Sequence, residues 1–154
     1  MTNWLKLVGV IVLCELAGVV GSVFTMPAIT TWYAGLAKPF FTPPSWVFAP
    51  VWIALYALMG IALYLVLESP KPRKNRALLF FGVQLVFNTL WSIVFFGLQN
   101  LFAGLVAIVL LWIAIAGSMY YFQRIDKRAA WLLAPYLLWV TFAALLNYSI
   151  WMLN

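Results

Sequence analysis

Five long apolar blocks, separated by connections that hold nearly all the charge, leave this chain one class of fold. The blocks cover residues 4–25, 45–67, 77–98, 101–122 and 129–153. Each holds about the 20 apolar residues that a helix needs to cross a hydrocarbon layer of about 30 Å. Of the 154 residues, 67% are hydrophobic and 8% charged, against about 25% charged in an ordinary soluble domain. A soluble domain of this length exposes too much surface to hide so many apolar side chains, so the surplus faces lipid. The expected fold is an all-α membrane protein, a five-transmembrane-helix bundle forming one domain over residues 1–154. The first block is longer than a signal-peptide core and carries Glu15, so it reads as a retained helix. A stretch rich in proline and aromatic residues, 27–44, reads as an ordered or partly ordered loop.

Charge sets the expected orientation. With five crossings, Lys6, Lys71, Arg73, Lys74, Arg76, Arg124, Lys127 and Arg128 fall on one side and only Lys38 on the other. The positive-inside bias then places the N-terminus in the cytosol and the C-terminus outside. Four or six crossings would scatter that bias. The formal net charge of +6 points to the headgroups of membrane lipid as partner and away from nucleic acid, for which no readable basic stripe is present.

The chain has no histidine and a single cysteine, Cys14, inside the first block. Histidine-based metal and haem ligation are excluded, no intramolecular disulfide can form, and Cys14 reads as inert packing. Phosphate-binding and dinucleotide-binding glycine loops are missing. A hydrolase triad lacks its base, and three acids offer no metal cage, so no metal site and no conventional catalytic motif are expected. Glu15 has two readings: a functional ionisable group within a spanning helix, or a structural acid capped by a neighbouring Asn or Ser. Ala17, Gly18, Gly21 and Ser22 in the first block, and Ala103 with Ala107 in the fourth, permit close helix approach. They serve either packing within the chain or a dimer face.

Nine Trp, seven Tyr and twelve Phe make up 18% of the chain. Trp4, Trp32, Tyr33, Trp131 and Trp151 stand near block ends, where aromatic belts form. Trp52, Tyr56, Trp91, Trp112 and Trp139 stand deeper. Trp52 and Tyr56 share a helix face, as do Asn88 and Trp91. Pro135, Trp139, Phe142, Ala143 and Asn147 form a polar-aromatic stripe in the fifth block. Asn88 and Asn147 lie within hydrocarbon, where an unpartnered amide is costly, so both should point into the bundle. They either bond between helices or help line a cavity with flat aromatic walls.

At these residues the chain resembles a known family. The segments are Trp32-Tyr33-x-x-Leu36-x-Lys38-Pro39, Pro43-Pro44, Phe48-x-x-x-Trp52-x-x-x-Tyr56, Met59-Gly60, Asn88-x-x-Trp91-Ser92-x-x-Phe95-Phe96 and Pro135-Tyr136-x-x-Trp139-x-x-Phe142-Ala143-x-x-x-Asn147. In order and spacing they resemble the TspO/MBR family, the tryptophan-rich sensory proteins of bacteria and the translocator (peripheral benzodiazepine receptor) proteins of mitochondria.

The resemblance implies a five-helix bundle, usually a homodimer, that binds porphyrins such as protoporphyrin IX and benzodiazepine-type ligands. The porphyrin is then a ligand, and no resident cofactor is required. The implied ligand-binding residues are Tyr33 and Pro43 from the first loop, Trp52, Tyr56, Asn88 and Trp91 from the second and third helices, and Trp139, Phe142, Ala143 and Asn147 from the fifth. The implied function is a membrane receptor for hydrophobic ligands in tetrapyrrole regulation, transport or degradation. Its photochemical variant is light-dependent porphyrin breakdown at Trp52 and Trp139. Glu15 carries a different alternative, a proton-coupled exporter of hydrophobic compounds. Two departures stand out. Lys38-Pro39-Phe40-Phe41 replaces a frequent Lys-Pro-x-Trp, and no basic residue follows Arg128, so the animal cholesterol motif is incomplete. A prokaryotic cell membrane is the simpler location, the mitochondrial outer membrane the eukaryotic one.

Overall fold

The computed structural model of the chain describes residues 3–72 and 74–154; Arg73, one of the eight basic residues assigned to a single side, lies outside them. All regular elements among the described residues are helical. They are α1 (Trp4–Ile29), α2 (Trp32–Gly35), a 3-10 turn (Ser45–Val47) leading into α3 (Phe48–Glu68), α4 (Asn75–Ser92), a π-helical turn (Ile93–Gly97), α5 (Leu101–Ile125), α6 (Lys127–Leu132) and α7 (Ala134–Leu153). Five runs are long and apolar enough to cross a membrane: Trp4–Ile29, Ser45–Glu68, Asn75–Gly97, Leu101–Ile125 and Lys127–Leu153. The chain is a five-helix membrane protein.

The helices differ from the apolar blocks for identifiable reasons. Polar side chains outside the blocks cap them: Asn3 accepts from Lys6 N–H at 3.1 Å, Asn100 from Ala103 N–H at 2.9 Å and Asp126 from Arg128 N–H at 2.8 Å. Each satisfies a backbone donor that a helix start leaves without a partner. Pro27, expected to open the first loop, lies inside α1. The proline sits in the last turn of α1, where Thr31 Oγ1 donates to its carbonyl at 2.7 Å and caps the helix end. The fifth block is broken rather than continuous. Pro135 has no N–H to give to the carbonyl four residues back, so α6 closes with Leu133 N–H on Ala130 O at 3.1 Å, and α7 restarts with the proline in its first turn.

Helix α1 packs on α3 and α4, α5 packs on α4 and α7, and α6 closes against α3. Gly18 and Gly21 of α1 pack within the chain, while Ser22 is exposed. A Cβ on Gly18 would stand 2.3 Å from the Tyr56 ring, and one on Gly21 3.0 Å from Ser92 Oγ. Polar contacts fasten both ends of the bundle. At the basic end Lys6 Nζ meets Glu68 Oε1 at 2.6 Å, Asn3 N–H donates to Tyr64 OH at 3.0 Å, and Lys71 Nζ donates to Arg124 O at 2.8 Å. At the other end Asn154 clasps the first loop: its Oδ1 accepts from Ala37 N–H, and its Nδ2 donates to Ala37 O, each at 3.0 Å.

Asp126 joins α5 to α6 through its cap and through a 2.9 Å ion pair with Arg128. The hydrogen bond from Arg128 holds its carboxyl below the usual carboxylate range. Asp126→Ala is expected to cost about 1 kcal/mol, the ordinary worth of an N-cap, read as a lower apparent melting temperature at neutral pH. Because the folded pKa is depressed, this contribution is present above the ordinary carboxylate pKa and fades as pH falls through the folded one. Wild type and variant should therefore converge in acid.

Candidate functional site

Below the first loop, two polar systems sit inside the bundle among aromatic rings. The first is a chain of hydrogen bonds linking α3, α4 and α7. Tyr56 OH donates to Asn88 Oδ1, Asn88 Nδ2 donates to Tyr136 OH at 2.8 Å, and Tyr136 OH donates to Gln84 Oε1 at 2.8 Å. Gln84 Nε2 ends the chain on the Met59 sulfur at 3.7 Å. Asn88 is 2% exposed and Tyr136 fully buried, so every partner matters. In the second system, Trp91 Nε1 donates to Asn147 Oδ1 at 3.2 Å and Asn147 Nδ2 to Leu101 O at 3.0 Å. This pairing ties α4 and α7 to the start of α5.

Aromatic rings connect the two systems. Trp52 lies 5.7 Å from Tyr56, 6.5 Å from Trp91 and 6.2 Å from Tyr136, between ring centroids. Trp91 stacks on Phe95 at 5.4 Å, and Tyr33 packs on Phe96 at 5.7 Å. The π-helical turn brings Phe95 and Phe96 together: its wider winding, seen in the Leu98 N–H to Ile93 O bond at 2.8 Å, lets two consecutive rings reach the same space. On the α7 side Trp139 packs between Phe48 at 6.1 Å and Phe142 at 5.5 Å. Its indole Nε1 is buried and has no hydrogen-bond partner among the described residues.

These rings enclose a narrow cavity of about 20 Å³, room for about one water molecule. Four expected site residues line it directly: Tyr33, Trp91, Ala143 and Asn147. Trp52 packs on the lining residue Trp91, and Trp139 on the lining residue Phe48. Phe142 touches Trp139 and, at 6.2 Å, Phe41 of the first loop. Tyr56 and Asn88 belong to the deeper hydrogen-bond chain. Pro43 is half-buried in the first loop, outside the cavity wall.

Ile29, Phe48, Leu146 and Ile150 also line the cavity, and sequence reasoning did not single them out for it. Phe95 and Phe96 were visible as a motif, but an ordinary helix would have turned them apart. Tyr136 was likewise visible in a motif but given no role, and Gln84 was not singled out.

Several expected placements differ. Trp32 and Tyr33 are not belt residues: Tyr33 is buried, and Trp32 packs edge-on against Phe95 at 5.6 Å. Trp112 stands mid-span in α5 as expected, but on the outer surface of the bundle: it is 38% exposed, with Nε1 donating to Thr141 Oγ1 at 2.8 Å. Lys38 Nζ bonds Ala34 O at 3.1 Å and Leu36 O at 3.0 Å and sits 5.0 Å over the Tyr33 ring. Burial pushes the Tyr33 phenol up to about 12. Phe41 supplies a ring against Phe142 of α7. Glu15 is half-buried on α1, lines no part of the cavity and has no hydrogen-bond partner among the described residues.

Known proteins share this layout in sequence. Residues 10–152 match the model of the family described as the TspO/MBR family. The tryptophan-rich protein TspO of Archaeoglobus fulgidus is 49% identical over 152 residues, 99% of each chain. The tryptophan-rich sensory protein of Cereibacter sphaeroides is 37% identical over 123 residues, 80% of this chain and 77% of its own. The human translocator protein is 36% identical over 151 residues, 96% of this chain and 89% of its own. Five apolar helices, an aromatic cluster beneath the first loop and similarity over most of the chain in archaea, bacteria and mammals converge on one assignment: this chain belongs to the TspO/MBR family.

Proposed function

We propose that this chain is a membrane receptor that binds porphyrins such as protoporphyrin IX, and other flat hydrophobic ligands, beneath its first loop. Its role lies in tetrapyrrole regulation, transport or degradation. The observation that carries this reading is the run of rings from Tyr33 through Phe95, Trp91 and Trp52 to Tyr136, meeting two buried amides and the unpartnered Trp139 N–H. A tetrapyrrole is a flat π-system, and each offset stack on an aromatic ring adds about 0.5–1.5 kcal/mol beyond area burial. The Trp139 N–H offers a donor to an acceptor on the ligand, and Lys38 beside Tyr33 offers a cation to a propionate. Relatives named as sensory protein and translocator protein agree with a ligand-handling role. Dimerisation and a cytosolic N-terminus are part of the same proposal.

Small-molecule sites usually enclose about 300–1,000 Å³, far more than the 20 Å³ between these rings. Binding therefore includes an opening step in which Phe95, Phe96 and the first loop give way. The test is a titration of protoporphyrin IX into detergent-purified protein in the dark, followed by tryptophan fluorescence. Saturable quenching is expected, with Trp52→Phe plus Trp139→Phe weakening affinity about tenfold, equivalent to about 1.4 kcal/mol. Unchanged affinity in the double variant would place the ligand elsewhere.

A porphyrin-degrading photochemical catalyst is the second reading, favoured by the contacts of Trp52 with three further oxidisable rings. Illumination of the titrated sample separates the two. Bleaching of the porphyrin band that requires Trp139 supports the catalyst, and a stable band supports the receptor alone.

A further inference from the structure

At the end of the bundle away from the first loop, a second cavity opens between the start of α4 and the end of α5. It measures about 560 Å³, and Lys71, Asn75, Arg76 and Arg124 line it together with Tyr121 and Ile125. The three cations there have no carboxylate to neutralise them. Of the three acids in the chain, Glu68 is held by Lys6, Asp126 by Arg128, and Glu15 lies within the α1 span. Arg124 stands over the Tyr120 ring, 4.2 Å from its centroid, and donates to the Tyr120 hydroxyl. Lys71 is anchored by one hydrogen bond to Arg124 O. That contact also covers one carbonyl at the negative end of α5, which would otherwise repel an anion.

The start of α4 adds to the positive field. Its N-cap residue, Lys74, supplies no side-chain acceptor, so the first backbone N–H groups of an 18-residue helix remain available to an anion. Tyr121 and Ile125 give the same cavity an apolar wall. Both helices are membrane spans that end here, which sets the cavity at headgroup depth.

We propose that this cavity is a discrete binding site for a phosphate group, supplied by the headgroup of an anionic phospholipid in the leaflet it faces. The guanidiniums of Arg76 and Arg124 and the Lys71 ammonium hold the phosphate. Tyr121 and Ile125 receive the glycerol and the first methylenes of the acyl chains. Free phosphate offers the same chemistry without the apolar part.

Native mass spectrometry of the purified chain, titrated with dioleoylphosphatidylglycerol or dioleoylphosphatidylcholine, tests the site. One phosphatidylglycerol per chain should bind at least tenfold more tightly than phosphatidylcholine. Arg76→Gln with Arg124→Gln should remove that preference, and Arg76→Lys with Arg124→Lys should largely restore it if the fold is intact. Lys127→Gln, which removes one charge at the same end but outside the cavity, should change affinity less than twofold. Inorganic phosphate is titrated in parallel by phosphorus NMR. Saturable phosphate binding lost in the double variant, with no preference between the lipids, assigns the same site to free phosphate. Equal lipid affinities without phosphate binding, or a Lys127→Gln loss as large as that of the double variant, would overturn the proposal.

Discussion

Gly60→Ala is expected to lower stability by about 3 kcal/mol, the upper end of the range for overpacking a filled interior. A Cβ at Gly60 would stand 2.6 Å from Ile11 Cα and 3.0 Å from Ile11 N. Carbon atoms rest at about 3.5–4.0 Å, so α1 would have to move out by about 1 Å as a unit, because the obstacle is backbone rather than the tip of a flexible side chain. That shift also separates the Lys6–Glu68 pair and the Asn3–Tyr64 bond, which hold the same two helices together. For a chain of this size the apparent melting temperature should fall by about 6–12 °C, measured by tryptophan fluorescence in detergent. Gly82 gives the comparison, since nothing lies within 4 Å of the Cβ it lacks. Gly82→Ala should be neutral or slightly stabilising, because alanine is the better helix former. Equal losses in the two variants would show that close approach of α1 and α3 is not the cause.

Asn88→Ala carries the second large effect. The amide accepts from Tyr56 and donates to Tyr136, so its removal breaks two bonds, strands the Tyr56 hydroxyl and leaves a small void. Hydrogen bonds between membrane helices are individually modest, averaging about 0.6 kcal/mol. The orphaned buried hydroxyl adds about 1–3 kcal/mol, for a total of about 2–4 kcal/mol. Thr89→Ala, the next residue on α4, loses only a 3.2 Å bond to Ala17 O and a 3.4 Å bond within its own helix. It should cost less than about 1 kcal/mol. A midpoint unchanged in Asn88→Ala would mean that the tyrosine hydroxyls find other partners without cost.

The contrast between these two positions also marks what the sequence could show. Hydropathy locates all five spans because a lipid-facing helix must be apolar along its whole length, whatever it packs against. Asn88 and Asn147 stand out for a related reason, since an amide inside hydrocarbon needs a partner. The identity of that partner is a tertiary matter. Nothing local to Tyr56 or Tyr136 says that both reach Asn88, and nothing local to Gly60 says that the Ile11 backbone lies against it. The break at Leu133 was readable from Pro135. The π-helical turn was not: the segment Ile93–Gly97 is apolar and contains no proline, and only packing makes the wider winding worthwhile. Four of the ten residues implied by the family motifs line the cavity, and its Phe95 and Phe96 wall was left unassigned.

The two hydrogen bonds between Asn154 and Ala37 couple distant parts of the chain. A first loop that opens must either release both bonds or draw the end of α7 with it. Loop opening and freedom of residue 154 then become linked equilibria, and a molecule that enters beneath the loop changes both. A spectroscopic label placed beside Asn154 would report on a compartment it never touches, much as a door handle registers what passes through the door.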